Sequence, residues 1–382
     1  MANVNKRICI ISTIDGTLSS FVIPSAREMK KRGLEVTLLA SMSNEFVERY
    51  NDEFTLINIQ MERGAKPLGM IKAIFSFYKL FKTHKFDIIQ YATPNAAFYA
   101  SIAGFLSKKP IRLYCQWGIR YVGFDGLKRK IFKLLEKITC NLSTHIRPAS
   151  RKNMEFAIEE KLYKQDKAKV IGDGGAVGID FKRFDIEKKA IYKQEILEKY
   201  PQIKDKTVFG FVGRLEEDKG IVELIEAFKS INEGYLIVVG GMSTKKDFLN
   251  DLIAQAKNND KIILTGIVSD VEKYLSAFTI LVHPSYREGF SAVIQQAMAM
   301  RTPVITTDIP GPSEVIEENI SGLLVPPKNS EKLSDAMQHL SSNIELQNKF
   351  SDNGLVRVKK LFSQSRMTEL IVLDRLDLIS NI

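Results

Sequence analysis

The chain has 382 residues, 45% hydrophobic, 26% charged and 9% aromatic. That composition excludes a disordered chain, a collagen-like repeat and a small disulfide scaffold, and the length suggests two or three domains. The net charge of +10 is uneven: residues 1–185 hold 31 basic and 18 acidic side chains, a net +13, while 186–382 carry −3. The excess is either plain solubility or an attraction to a polyanion such as an acidic membrane surface, a polyphosphate or a nucleic acid. Cys9, Cys115 and Cys140 stand far apart in no CxxC pattern, so no disulfide framework or zinc site is expected and a reducing cytosol fits. The polar start Met1–Lys6, and an apolar run broken by Ser12 and Thr13, do not read as a signal peptide.

The first half opens with a strand, RICIIS (Arg7–Ser12), a loop TIDGTLSS, and an amphipathic helix from about Phe21 to Lys31 stopped at Gly33. Further strand-like runs are EVTLLA (Glu35–Ala40), TLINIQM (Thr55–Met61), DIIQYA (Asp87–Ala92) and IRLYCQ (Ile111–Gln116), with helical stretches between them. Residues 88–107 carry no charge, yet Gln90, Pro94 and Asn95 interrupt them, so a buried strand, a turn and a helix fit better than a membrane span. A Lys- and Glu-rich linker, 184–206, interrupted by Pro201, separates this half from a second alternation. That alternation runs through TVFGFVGRL (Thr207–Leu215), helix Gly220–Ile231, YLIVVGG (Tyr235–Gly241), helix 245–257, KIILTG, TILVHPS, the helix of EGFSAVIQQAMAM, PVITT and a helix at 331–340. The expected fold is α/β, two Rossmann-like domains (1–183 and 207–354) facing a cleft, with a helical tail at 355–382 crossing back to the first. Ligands of such sheets bind at the carboxyl ends of the strands.

There is no GxxxxGK[ST], no GxGxxG after the first strand, no HExxH, no GxSxG and no Asp-x-Asp. P-loop, dehydrogenase, metalloprotease and serine hydrolase chemistry lose support, and no metal site is expected. Two loops stand out. In GRLEEDKG (Gly213–Gly220), Arg214 offers a forked donor set and Lys219 a point charge, which together suit a diphosphate and equally suit a solvated helix start. In HPSYREGFSAVIQQAMAM (His283–Met300), Gly289 permits close approach to the backbone and the helix start near Ser291 forms an anion seat. Glu288 suits either sugar hydroxyls or the helix dipole.

The GRL..DKG loop followed some seventy residues later by PS..EGF resembles the family-4 retaining glycosyltransferases of GT-B architecture. STIDGTLSSFVIP, KPLGMIKAIFSFYKLFK, GLKRKIFKLLEKITC and GLLVPP read like the bacterial capsule, O-antigen and surface-polysaccharide branch of that family. The resemblance implies that Gly213, Arg214 and Lys219 hold the donor's diphosphate, with Gly16 and Thr17 facing it from the first half. It implies that Glu288 meets sugar hydroxyls, that the backbone of Gly289, Phe290 and Ser291 seats sugar and phosphate, and that Ile267 and Val268 meet the nucleobase. Three positions depart from the family pattern. Gln296 replaces a second Glu at the ribose and loses a charge-assisted bond. Trp117–Gly118 replaces His–Gly, which offers a stacking surface for a sugar. Val177 stands in GDGGAVGID where Asn is usual.

The implied reaction is transfer of an N-acetylhexosamine or related hexose from a nucleoside diphosphate, expected to be UDP, with retention and without a metal or other cofactor. The implied acceptor is a polyprenyl-diphosphate-linked sugar. Cations alternate with bulky apolar residues in Lys72–Phe86 and Leu127–Ile138. These segments either pack on the sheet with solvated lysines or lie on an anionic membrane, which would place the protein at the cytoplasmic face of the cell membrane. A nucleotide-sugar epimerase on the same architecture is the alternative. No nucleic-acid motif accompanies the charge.

Overall fold

A computed structural model describes residues 6–61, 67–242 and 247–381. The chain divides into unit 1, residues 1–177 with 364–382, and unit 2, residues 178–363.

Unit 1 is built on β1 (Arg7–Ile14), β2 (Glu35–Ser41), β3 (Thr55–Asn58), β4 (Ile88–Tyr91), β5 (Ile111–Gln116) and β6 (His145–Pro148). They are joined by α1 (Asp15–Phe21), α2 (Ile23–Lys31), α3 (Asn44–Tyr50), α4 (Pro67–Thr83), α5 (Pro94–Leu106) and α6 (Gly126–Leu142), and α7 (Arg151–Glu159) follows β6. The sheet order is β3-β2-β1-β4-β5-β6, and every pairing is parallel. β1 is buried from Ile8 through Thr13 on both sides, which explains why its sequence is a continuous apolar run rather than an alternation. Ile8, Ile10, Leu38 and Leu113 pack under α1 and α2. Cys9, Ile11, Ile89 and Tyr114 pack on the opposite face against Phe77, Phe81 and α5. Each such aliphatic side chain contributes about 1.5–3 kcal/mol on burial.

One sequence expectation changes here and one holds. TIDGTLSS is not a loop: Asp15–Phe21 forms α1 directly after β1. The Asp15 carboxylate accepts from the Gly16 N–H (2.7 Å), the Ser43 N–H (2.7 Å) and the Ser43 hydroxyl (2.6 Å), and Leu18 is fully buried. Tertiary anchoring thus overrides the weak helix propensity of Gly and Ser. The uncharged run 88–107 is strand β4 and helix α5, and no helix among the described residues is long and apolar enough to cross a membrane.

Unit 2 begins with α8 (Lys189–Lys199), inside the segment expected as a linker, and α8 packs on α11 (Val271–Ala277). Ile196 is buried and Lys273 pairs with Glu195 at 2.5 Å. The sheet comprises β7 (Val208–Val212), β8 (Tyr235–Val239), β9 (Ile262–Gly266), β10 (Ile280–His283), β11 (Val304–Thr307) and β12 (Leu323–Val325). The remaining helices of unit 2 are α9 (Ile221–Lys229), α10 (Asp247–Lys257), α12 (Ala292–Ala299), α13 (Pro312–Val315), α14 (Ser330–Ser341) and α15 (Ile344–Leu361), while α16 (Gln364–Ser380) belongs to unit 1. Residues 245–246 of the helix expected at 245–257 lie outside the described residues. The boundary expected at 354/355 falls inside α15, which packs on α12; the break is at Ser363/Gln364, and α16 packs on α2 in unit 1.

The unit 2 order, β12-β11-β10-β7-β8-β9, is again all-parallel and, read from the β9 edge, repeats the order of unit 1. In both units the winding reverses at one place: between β1 and β4, and between β7 and β10. Such a reversal leaves a crevice at the carboxyl ends of the two strands, the ligand position of doubly wound sheets.

Candidate active site

The unit 2 reversal brings together the two loops singled out in the sequence. Gly213–Gly220 follows β7 and His283–Ser291 follows β10, and they are tied tightly. The Asp218 carbonyl accepts from the Tyr286 N–H (2.9 Å) and the Ser285 hydroxyl (3.0 Å), while the Arg287 guanidinium pairs with the Asp218 carboxylate at 2.5 Å. Gly220 has φ +71°, and a Cβ there would stand 2.1 Å from the Pro284 carbonyl oxygen. Gly240, at φ +139°, lies as closely under the Gly213 carbonyl, where a Cβ would stand 1.8 Å from the oxygen. Only glycine meets both demands at these positions.

Across this junction Lys219 Nζ donates to Glu288 Oε1 at 2.6 Å. The same oxygen accepts from His283 Nε2 at 3.1 Å, and the Ser291 hydroxyl lies 3.2 Å from that nitrogen. An ionised carboxylate only accepts, so Nε2 carries the imidazole proton in this arrangement. The Lys219 and Glu288 side chains are 14% and 16% exposed. Burial by itself raises the Glu288 pKa. The Lys219 charge and the His283 hydrogen bond outweigh it and hold the carboxyl well below the ordinary range. Glu288 is therefore a fixed anion between two donors. Ser291 stands at the start of α12 with no side-chain cap on that helix, and its hydroxyl is turned to His283 instead.

The other expected residues distribute as follows. Arg214 is half exposed and pairs with Glu216 at 2.5 Å, so it does not converge with Lys219 on one protein group. Phe290 is buried edge-on against Phe362 at 5.2 Å, a packing role for its side chain. Ile267 is 87% exposed just past β9 and lies over Gly241, while Val268 is half buried. Gln296 sits half buried in α12. In unit 1, Gly16 and Thr17 lie in the first turn of α1, beside the β1–β4 reversal, and Trp117 packs on Phe21 at 5.3 Å. Val177 ends the first stretch of unit 1. Sequence reading missed His283 and the Asp218–Arg287 tie. The one available signal was a histidine ending an otherwise apolar strand, ILVH. Among the described residues no three His, Cys, Asp or Glu side chains are placed to hold a metal ion.

Two doubly wound parallel units in one chain, with two loops tied together at the second unit's reversal, form the GT-B class of α/β fold. Residues 192–357 match the family model "Glycosyl transferases group 1", and residues 7–149 match "Glycosyl transferase 4-like". The chain is 30% identical over 346 residues to the capsular polysaccharide biosynthesis glycosyltransferase CapM of Staphylococcus aureus, covering 89% of each. It is 24% identical over 355 residues to a Campylobacter jejuni enzyme, N,N'-diacetylbacillosaminyl-diphospho-undecaprenol alpha-1,3-N-acetylgalactosaminyltransferase, covering 91% of this chain and 92% of that one. Among solved structures, Anabaena HepE in complex with UDP-glucose matches with TM-score 0.76 at 17% identity, over 97% of this chain and 99% of that one. The chain belongs to this glycosyltransferase family.

Proposed function

We propose that the protein transfers an N-acetylhexosamine or related hexose from a nucleoside diphosphate, expected to be UDP, to a polyprenyl-diphosphate-linked sugar in surface-polysaccharide synthesis. The observation that carries this reading is the Lys219–Glu288–His283 network at the β7–β10 reversal. Lys219 and Arg214 neutralise the departing diphosphate, while Glu288, held ionised, accepts from sugar hydroxyls. The names of the Staphylococcus and Campylobacter relatives support the pathway and the lipid-linked acceptor.

The bond from the anomeric carbon to the diphosphate oxygen breaks, and the acceptor hydroxyl attacks from the same face with retention. Its proton passes to the leaving diphosphate. Catalysis rests on preorganised positive charge at that leaving group, each contact of this kind being worth roughly 3 kcal/mol. The test is a panel of nucleotide sugars incubated with and without lipid-linked saccharides, reading release of free nucleotide. Release from a UDP-sugar that requires a lipid-linked acceptor is expected. Conversion of the donor without any acceptor would instead support epimerisation.

We further propose that unit 1 sits peripherally on the cytoplasmic face of the cell membrane. α4 and α6 both pack on α5, and both leave large apolar side chains in solvent: Leu68, Ile71 and Phe75 on α4, Leu127, Ile131 and Leu134 on α6. Lys72, Lys79, Lys82, Lys128, Arg129, Lys130 and Lys133 lie among them. Apolar anchors set in a cationic surround suit an anionic bilayer surface. Co-sedimentation with anionic vesicles is expected to fall several-fold between low and physiological salt, because the screening length shrinks to about 8 Å. Equal binding to neutral and anionic vesicles would overturn the proposal.

A further inference from the structure

Unit 1 holds a second charged centre, built from none of the donor loops. Gln90 of β4, Cys115 of β5, Arg147 of β6 and Arg375 of α16 line one cavity, with Phe21 and Trp117 half exposed at its rim. Arg147 and Arg375 are only 7% and 3% exposed, and so is the carboxylate between them, Asp374, at 5%. Arg147 grips Asp374 through Nε at 3.0 Å and Nη2 at 2.9 Å, and its Nη1 donates to the Ile146 carbonyl at 3.0 Å. Arg375 donates from Nη1 to Asp374 (2.7 Å), from Nε to the Gln90 carbonyl oxygen (2.9 Å) and from Nη2 to the Cys115 sulfur (3.3 Å).

Two guanidiniums thus face one carboxylate. Lys169, 4.0 Å from Asp374, is a further cation. A guanidinium has five N–H donors. Among the described residues the bonds above leave at least two on each arginine without a protein acceptor. A buried cationic surplus is costly unless an anion completes it, and forked N–H donors match the oxygens of a carboxylate or phosphate. Trp117, its ring 5.3 Å from Phe21, adds a flat apolar wall with a polar edge, suited to a sugar ring.

We propose that this cavity binds the carboxylate or phosphate group of an anionic sugar. That the sugar is a substrate rests on the transfer reaction proposed above; the binding itself does not.

Trp117 is the chain's one tryptophan, so its fluorescence reads this cavity directly. The full-length protein is titrated at fixed ionic strength with glucuronate, glucose 1-phosphate, inorganic phosphate and, as the neutral control, glucose. A saturable change with at least one of the anions, and none with glucose, is expected. Preference for glucuronate identifies the carboxylate source, and preference for glucose 1-phosphate or phosphate the phosphate source. Gln90→Glu sets an internal carboxylate beside Arg375 and is expected to weaken anion binding at least tenfold. Ser25→Glu, on another wall of the cavity, repeats the test should the first variant be recovered unfolded. No saturable change with any anion, an equal response to glucose, or an unaltered response in the folded variant would overturn the proposal. Nucleotide release is not the readout, so failure here leaves the donor assignment standing, and failure of that assignment leaves this binding measurable.

Discussion

Replacing Lys219 by alanine is expected to lower sugar transfer by about 10²–10³-fold, the loss typical of one preorganised donor at a developing anion. Two effects act together. The diphosphate loses an ammonium, and Glu288 loses the Lys219 donor at 2.6 Å while keeping His283 at 3.1 Å. Breaking a largely buried pair from one side costs about 3–5 kcal/mol, so unit 2 should also melt earlier. The two effects separate in the double variant Lys219→Ala/Glu288→Gln. Removing the stranded charge should return much of the stability and none of the turnover. Turnover close to wild type in Lys219→Ala, measured at saturating donor, would remove Lys219 from the reaction.

The second large effect is expected at Gly220. Alanine there must adopt φ near +71° and place its Cβ against the Pro284 carbonyl. Left-handed backbone alone costs an alanine about 1–2 kcal/mol, and the contact must push the β7 and β10 loops apart. A loss of about 2–4 kcal/mol corresponds to a melting midpoint lower by roughly 5–15 °C for a unit of this size. Activity should fall with it, because Lys219 and Glu288 sit on the two loops being separated. Asparagine tolerates the left-handed region but also carries a Cβ. It should therefore be nearly as harmful as alanine; a clearly milder Gly220→Asn would show that backbone conformation, not the contact with Pro284, is what glycine provides.

The alternation of apolar strands with helices made both sheets legible in the sequence, because parallel strands buried on two faces must be continuously apolar. The places that misled were those where polar residues are held by distant partners. α1 depends on Asp15 meeting Ser43. α8 looked like a linker because most of its surface is Lys and Glu, and only Ile196 and its packing on α11 reveal a docked helix. The candidate site was legible through Arg214, Lys219 and Glu288, whose residue types announce anion and hydroxyl chemistry. What holds them was not: His283 and the Asp218–Arg287 pair acquire meaning only when two loops some seventy residues apart are brought into contact by the reversal of strand order. The Arg147–Asp374–Arg375 cluster was invisible for the same reason, since its members lie 227 residues apart in the chain.

Calorimetric titration with UDP tests most directly whether a nucleoside diphosphate seats on the β7 and β10 loops of unit 2. A single saturable site is expected in the wild-type protein, weakened about tenfold by Arg214→Ala, which is about 1.4 kcal/mol and within the range of a hydrogen bond to a charged group. Equal affinity in the wild-type and Arg214→Ala proteins, or no binding of UDP at all, would contradict it.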